Sequence, residues 1–278
     1  MNAGTVAHEG EIGARRAATG SAREGAARAG LTARGVIYVL VGLLALRIAF
    51  GDSGGRQADR GGALQEIATK PFGAVLLWAL GVGLVGMALW RLSEAAFGSA
   101  GEDGGKAGKR LAAAGRCVFY AFVAYSVLAF AAGARGSGSG DRQSRDVTAK
   151  ALGIPGGQWI VGAAGAGLVV AGVWIAARAV MRKYHKHLKL GEMSRRVRKA
   201  VDVTGVGGGA ARGAVFAGAG VFAVRAAVKY QPDQAKGMDG TLRSFAGTPM
   251  GPWLLVCVAA GLVLFGVFSF AMARWRRV

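Results

Sequence analysis

Six long apolar runs alternate with polar, glycine-rich stretches along the chain: 32–51, Phe72 to Trp90, Cys117 to Ala134, Ile154 to Ala177, Gly213 to Val224 and Pro249 to Ala273. About 20 mainly apolar residues carry a helix across a bilayer. Five of the runs hold no charged residue, and the first keeps Arg34 and Arg47 close enough to its ends to snorkel. The fifth is short, and reaches spanning length only if Arg212 and Arg225 extend to the two interfaces. The pattern predicts an all-α integral membrane bundle of six spans.

The runs repeat. Arg34-Gly35-Val36-Ile37-Tyr38, Arg116-Cys117-Val118-Phe119-Tyr120 and Arg212-Gly213-Ala214-Val215-Phe216 each open an odd-numbered run. Pro71-Phe72-Gly73, Pro155-Gly156-Gly157 and Pro249-Met250-Gly251 each open an even-numbered one. Both patterns recur about every 80 to 100 residues, the signature of a tandem unit. The expected organisation is a disordered or interfacial cytoplasmic tail over 1–27, then repeat 1 (28–98) and repeat 2 (99–181). A basic cytoplasmic linker (182–205) and repeat 3 (206–278) follow. Each repeat contributes two spans. Pro at the first helical position would cost no hydrogen bond, so each Pro-x-Gly reads as a helix start. The connections over 51–70 and 133–153 have room for a short interfacial helix, and Gly62-Ala63-Leu64-Gln65 parallels Gly240-Thr241-Leu242-Arg243 before the next Pro.

Charge sets the orientation. The chain carries 35 Lys and Arg against 15 Asp and Glu, a formal charge of +20. With both termini on one side, that side holds about two thirds of the basic residues, and the positive-inside rule makes it the cytoplasm. Residues 1–30 contain Glu9, Glu11, Glu24 and four Arg without an apolar stretch, so the first span is expected to act as an uncleaved insertion signal. Trp159 and Trp253 near one set of helix ends, with Trp90, Trp174 and Trp275 near the other, read as an aromatic belt. The basic residues between Met181 and Lys199 would attract anionic lipid headgroups at about 1 kcal/mol each. Nucleic acid is not an expected partner.

Candidate chemistry is sparse. No Asp or Glu lies within the apolar cores; Glu94 stands just past the second. Ion-coupled pumps place carboxylates at membrane depth, so that class is disfavoured. No hydrolase, P-loop or metalloprotease motif occurs, and Gly207-Gly208-Gly209 falls in the linker without a preceding strand. His185 and His187 diverge on a helix and do not form a metal site. Cys117 and Cys257 read as two buried small side chains without a disulfide. No catalytic residue, cofactor or metal is assigned. The repeated Arg34, Arg116 and Arg212 form either a cytoplasmic ring around a pseudo-threefold axis or three headgroup anchors. Gly42, Gly83, Gly167, Gly220 and Gly261 form a candidate packing stripe.

These segments resemble a bacterial membrane family known as domain of unknown function 1206. The likeness rests on Ala33 to Tyr38, Ala211 to Phe216 and the Pro-x-Gly starts, and Gly191-Glu192-Met193-Ser194 adds to it. It covers residues 28 to 275, departs at Cys117 where the other copies have Gly, and implies a six-span inner-membrane protein without a known activity. The expected function is a structural or interaction module of the bacterial plasma membrane, with protein partners or self-association possible; the alternative is a small anion transporter or channel along the repeat axis.

Overall fold

A computed structural model describes residues 3–51, 57–98, 107–133, 140–246 and 251–276, the first of these up to residue 23 as backbone only. It is all-α. The helices are α1 (Ala3–Ala49), α2 (Arg60–Ala68), α3 (Gly73–Phe97), α4 (Ala107–Ala131), α5 (Gly140–Leu152), α6 (Gly157–Val180), α7 (Arg195–Lys229), α8 (Met238–Ala246) and α9 (Gly251–Trp275). Six of them, α1, α3, α4, α6, α7 and α9, contain stretches long and apolar enough to span a membrane. The protein is a multi-pass membrane bundle built from three tandem repeats.

Each repeat is long helix, short helix, long helix, so the unit has one element more than its two spans. The short α2, α5 and α8 precede the Pro-x-Gly patterns, and these patterns work differently from a helix-starting proline. In the first two, Pro lies outside the helix, and the next residue is left-handed: Phe72 at φ +62° and Gly156 at φ +76°. This reverses the chain sharply from short helix into span, closed by Gly73 N–H to Lys70 O at 2.9 Å and Gly157 N–H to Ile154 O at 2.9 Å. Pro249 and Met250 lie outside the described residues. The glycine that follows has one role in all three copies. A Cβ there would sit 2.3 Å from Ile67 O at Gly73, 1.7 Å from Ala151 O at Gly157 and 1.9 Å from Ala246 O at Gly251. Only glycine lets the short helix end so close to the span.

Aspartates link the three short helices. Asp59 caps α2 by accepting from Gly62 N–H at 2.9 Å and also accepts from Gly140 N–H of repeat 2 at 2.7 Å. Asp141 of repeat 2 accepts from Gly237 and Gly240 N–H of repeat 3 at 2.7 and 3.1 Å. Asp239 of repeat 3 accepts from Ala58 N–H of repeat 1 at 2.7 Å. Each repeat thus satisfies orphan amides at the start of the next repeat's short helix, and the circuit closes.

The spans form a ring in the order α4, α3, α1, α9, α7, α6. The tightest pairs join the last helix of one repeat to the first of the next: α3 with α4, α6 with α7, and α9 with α1. Small residues two turns apart let these backbones touch. A methyl group on Gly165 would lie 3.0 Å from Gly220 O, and one on Gly172 2.6 Å from Gly213 O. At the matching positions of α1 and α9, a methyl group on Gly42 would lie 2.8 Å from Ala259 O and one on Gly266 2.8 Å from Gly35 O. The corresponding residues of α3 and α4 are Gly81, Ala88, Cys117 and Ala124, so Cys117 occupies a helix-crossing position.

Several expectations change. Helical backbone runs from Ala3 without a break into the first span. The fifth span is a continuous 35-residue helix, α7, which starts inside the basic linker with Ser194 as N-cap, its Oγ 3.3 Å from Val197 N. Gly207, Gly208 and Gly209 therefore lie within a helix. Gly208 and Gly209 pack against Phe265 and Ala179, which leaves no room for larger side chains. The rest of the linker folds back in two 3-10 turns, Lys183–His187 and Leu190–Glu192. Leu188, fully buried, bridges to Arg276, and Lys189 N–H donates to Trp275 O at 2.9 Å. Trp90 is not part of a belt but sits in the core. Cys257 is exposed on the bundle's outer surface rather than buried, because its side of α9 faces away from α1 and α7; Cys117 is half-buried.

Candidate functional site

The ring is not closed. Within repeat 1, α1 packs on α3, and within repeat 3, α7 packs on α9, but α4 and α6 of repeat 2 do not pack together. The residues that would join them are present and bare. A methyl group on Gly83 of α3 would lie 3.1 Å from Ala29 O of α1, and one on Gly261 of α9 only 2.3 Å from Ala211 Cβ of α7. Their counterpart Gly167 on α6 has open space around it, as does Gly115 of α4, which corresponds to Ala33 and Ala211. Farther along the same face, Trp90 and Phe268 are 2% and 7% exposed, whereas Trp174 is 56% exposed. Sequence alone treats the three repeats as equal; the second is splayed.

Behind this gap lies a cavity of about 580 Å³ on the repeat axis. Its middle is apolar, with Ile37, Val41, Leu84, Val123, Leu168 and Val215 among the lining residues. Toward the linker end it holds Arg34 and Arg212, and toward the short-helix end Arg60 and Lys236. Arg34 Nε donates to Ser269 Oγ at 3.2 Å, its guanidinium stands 5.2 Å from the Phe265 ring, and it interacts with the Tyr120 hydroxyl. Arg212 is caged by aromatics, 5.0 Å from Phe265, 5.2 Å from Phe216 and 5.8 Å from Tyr38. Tyr38 and Phe265 meet edge to face at 4.7 Å. The Arg212 Nε is buried and lacks a hydrogen-bond partner. Among the described residues no carboxylate pairs with either arginine. Two cations facing one apolar chamber, both without a counter-charge, favour an anion there.

Of the three repeated arginines, the structure brings two together. Arg34 and Arg212 share Phe265, and each feels the other's charge. Arg116 stands apart, exposed on α4 near Arg91, Glu94 and Arg178. Arg178 belongs to α6, so Arg116 and Arg178 flank the gap at the linker end. In the packing stripe, Gly42 and Gly220 lie at the crossings between repeats, Gly83 and Gly261 at the contacts within repeats, and Gly167 in the gap. His185 pairs with Asp202, as does Tyr184, whose hydroxyl is pushed above the usual tyrosine range by burial and the nearby carboxylate.

Residue-level signals for the rest were weaker. Asp59, Asp141 and Asp239 precede or open the short helices, a capping position that could have been noticed. Ser269, which holds Arg34, carried no signal beyond its place in an apolar run.

A family model, Domain of Unknown Function (DUF1206), matches three stretches of the chain, 29–98, 111–182 and 207–276. The chain belongs to the DUF1206 family. Each match covers two spans and the short helix between them, so the DUF1206 unit is the long-short-long repeat described above. The Uncharacterized protein YxxB of Bacillus subtilis (strain 168) is 31% identical over 244 residues, covering 87% of either chain. No solved structure matches this DUF1206 chain.

Proposed function

We propose that this protein is an interaction module of the bacterial plasma membrane, non-enzymatic, whose partner is a single anionic amphiphile held in the axial cavity. The observation that carries this reading is the pair Arg34 and Arg212, unneutralised at one end of an apolar chamber that opens sideways between α4 and α6. The acyl part fits the apolar middle, and the acid group replaces the missing counter-charge. A volume near 580 Å³ is within the usual range of ligand pockets, about 300–1,000 Å³. Entry from the bilayer avoids water throughout, because the gap faces the region lipid tails occupy.

Titration of the purified chain with oleate, with oleyl alcohol as the uncharged control, tests this reading. Oleate should bind saturably, and Arg212→Gln should weaken it tenfold or more, about 1.4 kcal/mol. Equal affinity for the alcohol, or an unchanged affinity in the variant, would refute the reading.

A second reading, passage of small anions along the axis, draws support from Arg60 and Lys236 at the opposite end of the cavity. It requires anion flux through the protein in liposomes that responds to Arg34→Gln; absence of flux under several gradients excludes it.

A further inference from the structure

A second group of arginines lies at the linker end, outside the cavity. Arg91, near the end of α3, is 7% exposed and pairs with Glu94 one turn later. Arg276, just past α9, lies over the Trp90 ring at 4.5 Å, and the Arg91 guanidinium lies 4.2 Å from the same ring. Both have a buried Nε without a hydrogen-bond partner. Arg116 of α4 and Arg178 of α6 complete the group: Arg116 feels Arg91, Glu94 and Arg178, and Arg276 feels Arg91, Glu94, Arg34 of the neighbouring cavity and Arg116. Arg91, Arg116 and Arg276 thus share one carboxylate, already engaged by Arg91, and Arg178 adds a fourth positive charge beside Arg116.

The linker closes over this cluster. Leu188 is buried against it through the bridge to Arg276, and His187 beside it faces Arg276, Arg178, Arg91 and Glu94. Burial, then the charges of Arg276 and Arg178, hold His187 below the usual histidine range. Burial and the neighbouring Arg91 push Arg276 down to about 10. Like charges gathered this closely repel, and without an anion the cluster works against the fold. Guanidinium groups offer planar forks of donors suited to a tetrahedral oxyanion, and the unused Nε atoms are such donors.

We propose that Arg91 and Arg276, stacked on Trp90 and supported by Arg116 and Arg178, form a binding site for a phosphate-type dianion, separate from the axial cavity. The dianion is either free phosphate or the phosphomonoester headgroup of a lipid, since the site lies at headgroup depth. It would join the ends of α3 and α9 to the linker and relieve the repulsion between them.

Calorimetric titration of the full chain in phosphatidylcholine nanodiscs, at constant ionic strength, tests the site with two probes. One is inorganic phosphate; the other is phosphatidic acid incorporated in the nanodisc. Saturable binding of either supports the proposal, and which of them binds identifies the source. Arg276→Gln should weaken binding at least tenfold, and Arg116→Gln, at an exposed position that the fold tolerates, about threefold or more. Arg196→Gln, which removes the same charge from an exposed linker position, should have no effect. Two outcomes overturn the site: no saturable binding of either probe, or an equal loss in Arg196→Gln. Arg212→Gln separates this site from the cavity: it should leave phosphate affinity within twofold, and loss there would place the anion in the cavity instead.

Discussion

A single glycine can be read for what its missing side chain permits. Gly157 and Gly167 lie ten positions apart on one helix and look alike in sequence, yet one is jammed against Ala151 O and the other faces open space. Gly157→Ala should lower the apparent Tm strongly, because the obstacle is backbone that cannot rotate away; a loss of about 2 kcal/mol or more is expected. Gly167→Ala should be neutral or slightly stabilising, since alanine favours helix by about 1 kcal/mol where nothing opposes it. Thermal unfolding of the two variants in one detergent checks both. Comparable losses would mean that α6 is packed on both sides and that the gap in repeat 2 is not real. The identity of the glycines that matter was legible only in part. Periodicity selects a helix face, but it does not say which neighbour occupies that face. That is why Gly165 and Gly172, the contacts of the tightest crossing, were missed while Gly167 was selected.

Helices in this protein are positioned more by partners in other repeats than by those in their own. Existence of the six spans was evident from apolar run length, which is a strong local signal. Their pairing was not, because last-to-first contact between repeats depends on small residues whose match becomes visible only when two helices are laid together. Length failed once: Arg212 and Arg225 made the fifth span look short, although a helix carries flanking charge when the long side chains reach aromatic faces or headgroups. Arg212 does the first, among Phe265, Phe216 and Tyr38. The short helices depend on the aspartate circuit. Asp141→Ala removes the acceptor for both Gly237 and Gly240 N–H, so about 1–3 kcal/mol of stability should be lost. Loosening should concentrate at α8, and hydrogen exchange of Gly237 and Gly240 should accelerate more than that of α1. Uniform acceleration would argue against a local role.

At the scale of the whole molecule, three copies of one unit produce an arrangement with two closed sides and one open side. The asymmetry arises where the copies differ least conspicuously, since Gly115 and Gly167 are as small as their counterparts and the departure at Cys117 lies on the opposite, closed contact. Orientation follows from charge alone: the linker end, with the termini, is expected in the cytoplasm. A thiol introduced by Ser194→Cys, in a background lacking Cys117 and Cys257, should react with an impermeant maleimide only after cells are opened. One introduced by Ser53→Cys should react in intact cells. The reverse pattern would invert the topology and place the Arg91–Arg276 cluster outside.

The contact between α9 and α1 has a consequence for how the protein is made. Of these six spans, the one synthesised earliest has its closest partner in the one synthesised latest. Until α9 is inserted, Gly35 and Gly42 have no backbone against them, and α1 must wait in the bilayer with that seam bare. A chain interrupted before Gly251 would carry this unsatisfied edge permanently. Quality-control proteases that recognise poorly packed spans would then have a marker of incomplete synthesis, and it would disappear only when the final helix docks.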